Sequence, residues 1–177
     1  MITLIRHAKV NYNFKKYYRY FEFDKACKEY DNSPICKGGN KTFPCATKAI
    51  YVSSLKRTHD TAKLIFLDEN YIENKLFDEV PLKSFSDLLL PMPTPMWFAI
   101  GRLQWFFGIG QQPESRQKTK DRARQAIDVL EKEKREVILI CHGLFMRVLV
   151  RELKNRGYTM YGKANYNNLG SIHFQKP

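Results

Sequence analysis

Three short apolar runs, each stopping abruptly at a cationic or reactive residue, constrain this chain more than any other feature. Met1-Ile2-Thr3-Leu4-Ile5 ends at Arg6-His7. Ala49-Ile50-Tyr51-Val52 runs into Ser53-Ser54-Leu55-Lys56-Arg57, and Val137-Ile138-Leu139-Ile140-Cys141 runs into His142-Gly143. Apolar, β-branched runs of this length read as buried strands. In open α/β sheets, sites form beyond the carboxyl ends of parallel strands. If the three runs are neighbouring parallel strands, Arg6, His7, Arg57 and His142 meet in one pocket.

The segments between the runs carry helical spacing. Residues 55–67 place Leu55, Ala62, Ile65 and Phe66 on one face, before Asp68-Glu69-Asn70 ends the pattern. Residues 114–134 repeat Ala123, Ala126, Ile127 and Leu130 behind Ser115 as N-cap, with lysines and arginines read as a solvated face. Residues 144–154 put Phe145, Val148, Leu149 and Leu153 on one side, and Gly157 reads as the stop. Residues 170–174 alternate like a last strand. With 177 residues and 44% hydrophobic composition, one domain spanning residues 1–177 is expected.

Thirty Lys and Arg against 18 Asp and Glu give a net charge of +12. Such a balance suits anionic partners: phosphorylated substrates, nucleic acid or a membrane surface. Residues 14–30 interleave bases with aromatics, a mixture that can stack nucleobases. No base-reading motif accompanies them, so no nucleic-acid partner is expected, and the segment reads as a partly packed loop or irregular helix. Residues 31–47 read as loop. Cys27, Cys36, Cys45 and Cys141 form no CxxC pair, which disfavours a zinc knuckle. Cys141 reads as a buried thiol; the other three could pair in an oxidising compartment. No signal peptide precedes the first strand, so a cytoplasmic location is expected. Residues 88–109 are long enough to suggest a membrane span, but Pro91, Pro93, Pro95, Gly101 and Arg102 argue against a transmembrane segment. They read as packing onto the domain's own core. The other readings are a lid in which Trp97 and Trp105 wall the pocket, a homodimer contact, or an interfacial helix.

A neutral imidazole can attack phosphorus and become a phosphohistidine. Phosphoryl transfer then needs charge stabilisation on the equatorial oxygens, which arginine supplies with its planar fork. Two arginines and a second histidine around a histidine nucleophile therefore make a phosphate pocket that needs no metal. The leaving oxygen needs a proton donor opposite the nucleophile. Glu79 is the candidate acid, with Asp78 beside it as the rival.

In this combination the chain resembles the histidine phosphatase superfamily, the phosphoglycerate mutase-like and acid phosphatase-like group, in its first branch. The opening Arg-His-Gly motif is matched by Arg6-His7-Ala8, with alanine for glycine. Lys9-Val10-Asn11-Tyr12-Asn13 stands where Glu-Thr-x-x-Asn is usual, so Asn13 falls on a phosphate-contacting asparagine while Lys9 and Val10 depart. Ser-Pro-Leu-x-Arg-x-x-x-Thr-Ala is matched from Ser53 through Arg57 to Ala62, and Ser-His-Gly-Gly-x-x-Arg from Cys141 through His142 and Gly143 to Arg147. Glu79 falls where the family's acid is expected. The resemblance implies a three-layer α/β/α sandwich with a mostly parallel sheet, phosphoglycerate mutase-like. It implies metal-independent, cofactor-free hydrolysis of a small phosphorylated substrate or phosphoprotein. His7 would carry the phosphoryl group and Glu79 the proton, while Arg6, Asn13, Arg57, His142 and Gly143 would bind phosphate. A mutase is the rival enzyme, although the chain is short for that subgroup. A non-catalytic phosphate or polyanion binder is the rival from another class. The family places a substantial helix before the second strand, and here residues 14–30 would have to supply it.

Overall fold

The computed structural model describes residues 1–36, 48–66 and 70–176. The sequence-predicted loop beyond Cys36, with Cys45, and the Asp68-Glu69 helix end lie outside them. In chain order come β1 (Ile2–Arg6), β2 (Tyr17–Tyr18), α1 (Tyr20–Asn32), β3 (Ala49–Val52), α2 (Lys56–Phe66) and β4 (Tyr71–Glu73). A 3₁₀ turn, Lys75–Phe77, leads to β5 (Met92–Pro93), α3 (Thr94–Phe107), α4 (Arg116–Glu131), β6 (Val137–Cys141), α5 (Gly143–Asn155), β7 (Thr159–Tyr161) and β8 (Ser171–Gln175).

The main sheet has the order β4-β3-β6-β1-β8-β7. Its first four strands are parallel; β8 pairs antiparallel with β1, and β7 with β8. The register sets Arg6 opposite Cys141 and Val52 opposite Ile140, so the three apolar runs end side by side. Side chains alternate between the two faces, as the period of a strand requires. Ile2, Leu4, Tyr51, Val137 and Leu139 join a core with α4 and α5, while Ile5, Ile50, Val52, Ile138 and Ile140 join another with α2. α1 packs on α2. The sheet between two helical layers is the expected sandwich.

Residues 14–30 are more regular than a loop or irregular helix. Most of α1 lies there, fixed at its start by a capping box in which Glu22 accepts from Arg19 N–H at 2.9 Å. It carries Phe23 and Ala26 into a third cluster, with Tyr18 and Trp97, separate from both sheet cores. α4 begins as expected, Ser115 accepting from Lys118 N–H. Gly157 stands beyond α5 at φ 82°, the left-handed conformation that ends a helix. Among the described residues Cys27, Cys36 and Cys141 are free thiols.

Residues 88–109 form mainly α3. Trp97 is fully buried, stacked on Phe23 with ring centroids 5.4 Å apart, and its indole N–H donates to Tyr18 O at 3.0 Å. Trp105 is buried in the sheet core and donates to Thr119 Oγ1 at 2.8 Å. Both tryptophans are core residues, not a substrate wall: an indole is held inside when its N–H finds a partner there. No helix among the described residues is long and apolar enough to cross a membrane.

Candidate active site

His7 leaves β1 at the centre of the sheet. Its backbone N–H donates to Cys141 O at 3.0 Å, and Asn168 Nδ2 donates to His7 O at 2.8 Å. The next amide, on Ala8, donates to Thr61 Oγ1 at 2.9 Å. The loop is thus tied to β6, α2 and the segment before β8. His7 Nδ1 lies 2.6 Å from Ala8 O. A carbonyl can only accept, so Nδ1 carries the proton and Nε2 keeps its lone pair. Burial, and after it the charge of Arg57, push the imidazole down to about 3, which keeps it neutral across the physiological range.

Arg57 stands on the first turn of α2 and is 2% exposed. Its Nε donates to His142 Nδ1 at 3.0 Å, and one terminal nitrogen donates to Asp31 Oδ1 at 2.6 Å. Its guanidinium carbon is 5.2 Å from the centre of the Tyr30 ring. Because Nδ1 of His142 accepts, its Nε2 carries the proton and donates to Ser53 Oγ at 2.7 Å. His142 is fully buried, and its pKa is driven down by burial first and by Arg57 second. The two imidazole rings are 5.1 Å apart. His142 is fully enclosed and is joined to the cavity wall through its bond with Arg57.

Arg6 donates to Tyr166 O at 2.9 Å, and the Arg147 guanidinium lies 4.6 Å over the Tyr166 ring. A Cβ on Gly143 would come within 3.1 Å of the Arg6 guanidinium, so glycine is what lets that group lie across the start of α5. Arg6 Nε is buried without a hydrogen-bond partner. A donor left so costs about 1–3 kcal/mol.

Glu79 is fixed by three amides: Oε1 accepts from Val80 N–H at 2.9 Å and Phe145 N–H at 3.0 Å, and Oε2 from Leu144 N–H at 3.2 Å. Asp78 is engaged differently. Ser54 N–H donates to Oδ1 at 2.8 Å, and the Ser54 hydroxyl lies within 2.9 Å of both carboxylate oxygens. Arg122 braces this loop from α4, donating to Leu76 O at 2.9 Å and Asp78 O at 2.7 Å while pairing with Glu114. It also covers the Phe145 ring at 4.1 Å. Arg122 therefore does not belong to a solvated face.

A cavity of about 580 Å³ joins Arg6, His7, Arg57, Asp78 and Glu79. Its remaining wall includes Phe14, Tyr30, Asp31, Phe98 and Arg102. Asn13 is exposed and lies outside it. Asp31, Arg102 and Arg122 carry no motif: each sits on a helix among other charged or apolar residues, and only the tertiary packing singles it out. Among the described residues no group of three or more His, Cys, Asp or Glu side chains is placed to hold a metal ion.

Residues 41–175 match the family model described as the histidine phosphatase superfamily, branch 1. No curated protein matches the sequence. Solved structures do share the fold. A phosphoserine phosphatase of Entamoeba histolytica, crystallised with 3-phosphoglyceric acid, superposes with a TM-score of 0.57 at 14% identity, covering 99% of this chain and 94% of its own. A functionally characterised open reading frame of Mycobacterium tuberculosis gives 0.56 at 16% identity, covering 97% and 94%. A putative α-ribazole-5'-P phosphatase of Escherichia coli gives 0.55 at 16% identity, covering 86% and 78%.

Proposed function

The chain belongs to branch 1 of the histidine phosphatase superfamily, and from that premise we propose that it hydrolyses a small phosphomonoester through a phosphohistidine at His7, without a metal. One observation carries the reading. His7 is neutral, with its proton spent on Ala8 O and Nε2 left as a lone pair, in a cavity that also holds the Arg6 and Arg57 guanidiniums.

In the first half-reaction Nε2 of His7 attacks phosphorus, an N–P bond forms, and the P–O ester bond breaks. Arg6 and Arg57 take the equatorial oxygens, whose charge is the main thing the protein must stabilise. Arg57 exchanges Asp31 for phosphate, and His142 holds the Arg57 guanidinium in plane. Glu79 protonates the leaving oxygen. Its Oε2 accepts a single amide bond, which leaves a lone pair for the proton. Asp78, held by the amide and the hydroxyl of Ser54, is the rival donor. In the second half-reaction water attacks phosphorus, Glu79 takes its proton, and the N–P bond breaks to release phosphate and His7.

The named structural neighbours include a phosphoserine phosphatase and a putative α-ribazole-5'-P phosphatase. They support a small phosphorylated molecule as the substrate class. A panel of phosphomonoesters assayed with chelator tests the proposal. Release of phosphate from at least one ester at an undiminished rate is the expected result. Activity lost with chelator and restored by magnesium or zinc would overturn it.

A further inference from the structure

The cavity holds four arginines, and two already face a carboxylate: Arg57 pairs with Asp31 and Arg122 with Glu114. Arg6 is assigned above to the transferred phosphate. Arg102 is left over. It stands on α3, half-buried, and one terminal nitrogen donates to Val80 O at 3.1 Å and Pro81 O at 3.3 Å. Among the described residues no carboxylate lies within ion-pair distance of it, and Glu79 and Glu114 act on it only from further off. A guanidinium drawn out of water without a direct partner gains from an anion that reaches it.

Arg102 also has a second neighbourhood. An open groove continues from the cavity and shares Phe14, Phe98 and Arg102 with it. Lys15 and Lys16, both exposed, line it, and no Asp or Glu does. The Phe14 and Phe98 rings, edge to face at 5.2 Å, stand at the junction. The groove thus adds Lys15 and Lys16 to Arg102, with the Phe14 and Phe98 rings shared between it and the cavity that holds His7, Arg6 and Arg57.

We propose that the substrate carries a second anionic group, a carboxylate or a second phosphate, which docks on Arg102, Lys15 and Lys16 while the body between the two charges lies on Phe14 and Phe98. The inference rests on the reading of the His7 end as the phosphoryl-transfer site, but it is tested by binding alone. Non-hydrolysable probes serve: alkylphosphonates of two to eight carbons, and the same chains bearing a distal carboxylate or a second phosphonate. At the best chain length the doubly charged probe should bind the wild-type protein about tenfold or more tightly than its singly charged counterpart, because a charge-assisted contact is added. Arg102→Gln should reduce that advantage below about threefold, and Arg102→Lys should restore part of it. If Arg102→Gln fails to fold, Lys15→Gln/Lys16→Gln, on exposed positions, should still reduce the advantage and flatten its dependence on salt. A distal carboxylate matching the second phosphonate would mark a general anion subsite, and a phosphonate-only advantage a phosphate subsite; either supports the proposal. No advantage at any chain length, or an advantage that survives both variants, overturns it. Tight binding of the doubly charged probes with no turnover of any ester would instead leave the subsite standing and remove the catalytic reading.

Discussion

The cavity has two sides with different origins. On one side His7, Arg57 and Glu79 are held by the sheet and the helices it feeds: the β1–β6 register sets Arg6 against Cys141, and β3 leads directly into α2. On the other side Phe14, Tyr30, Asp31, Phe98 and Arg102 come from α1, α3 and the turn before them. These are pinned by the aromatic cluster around Phe23 and Trp97, which is not part of either sheet core. The first side has nearly every polar atom committed: each imidazole has one tautomer, and Glu79 takes three amides. The second side has half-buried rings and, in Arg102, a cation bonded to two backbone carbonyls rather than to a carboxylate. The difference separates chemistry from selection. A site that moves a phosphoryl group needs fixed donors, whereas a site that chooses a substrate can change on a separately packed unit without disturbing them.

The largest effect that would sharpen this division lies in Glu79. Glu79→Gln keeps most of the hydrogen-bonding shape and removes the proton, so turnover of an alkyl phosphate should fall by about 10²–10⁴-fold. An activated aryl phosphate, whose leaving group needs little protonation, should lose much less. Equal losses on both, or the larger loss in Asp78→Asn, would move the acid role away from Glu79.

Next comes the seam between the two sides. Trp97→Ala removes a fully buried, stacked indole and should cost about 3–5 kcal/mol of stability by denaturant unfolding. Phe98→Ala, one position on and facing the cavity, should cost less stability and raise KM instead. If Trp97→Ala changed KM in protein of unaltered stability, the aromatic cluster would be part of the substrate wall and the comparison would fail.

A smaller effect concerns the first side alone. The ordinary histidine value is 6.5, and His7 is held at about 3 in the fold. Between those values the unfolded chain takes up a proton that the native state refuses, so His7 makes stability fall as pH drops through that window. The slope for one such group is about 1.4 kcal/mol per pH unit. Unfolding free energies between pH 6 and pH 4 should therefore fall less steeply in His7→Gln than in the wild type. Parallel slopes would mean that His7 is solvated and free to charge.

The same division governs what could be read from the sequence. Arg6, His7, Arg57 and His142 were legible because each follows an apolar run that could only be a buried strand, and parallel strand ends converge. Glu79 was legible only as one of two adjacent carboxylates; the amides of Leu144 and Phe145 that bind it, and not Asp78, come from α5 and are invisible locally. His142 is fully buried beside His7 and Arg57, and nothing local reveals which way an imidazole faces. β4 escaped notice since Tyr71-Ile72-Glu73 is short and largely exposed, and β2 and β5 have two residues each. Arg122 was hidden in a base-rich helix where its neighbours are solvated. The tryptophans read first as core packing, and both are buried in core clusters, although an aromatic, proline-rich stretch has the composition of a wall and of a core alike.

The central claim is that His7 accepts the phosphoryl group. Rapid acid-free quenching of the protein with a ³²P-labelled phosphomonoester, followed by peptide mapping, tests it most directly. An acid-labile, base-stable label is expected on the peptide containing His7 and absent from His7→Ala, which should also lose turnover while remaining folded. Label on another residue, or phosphate release that persists in folded His7→Ala, would contradict it.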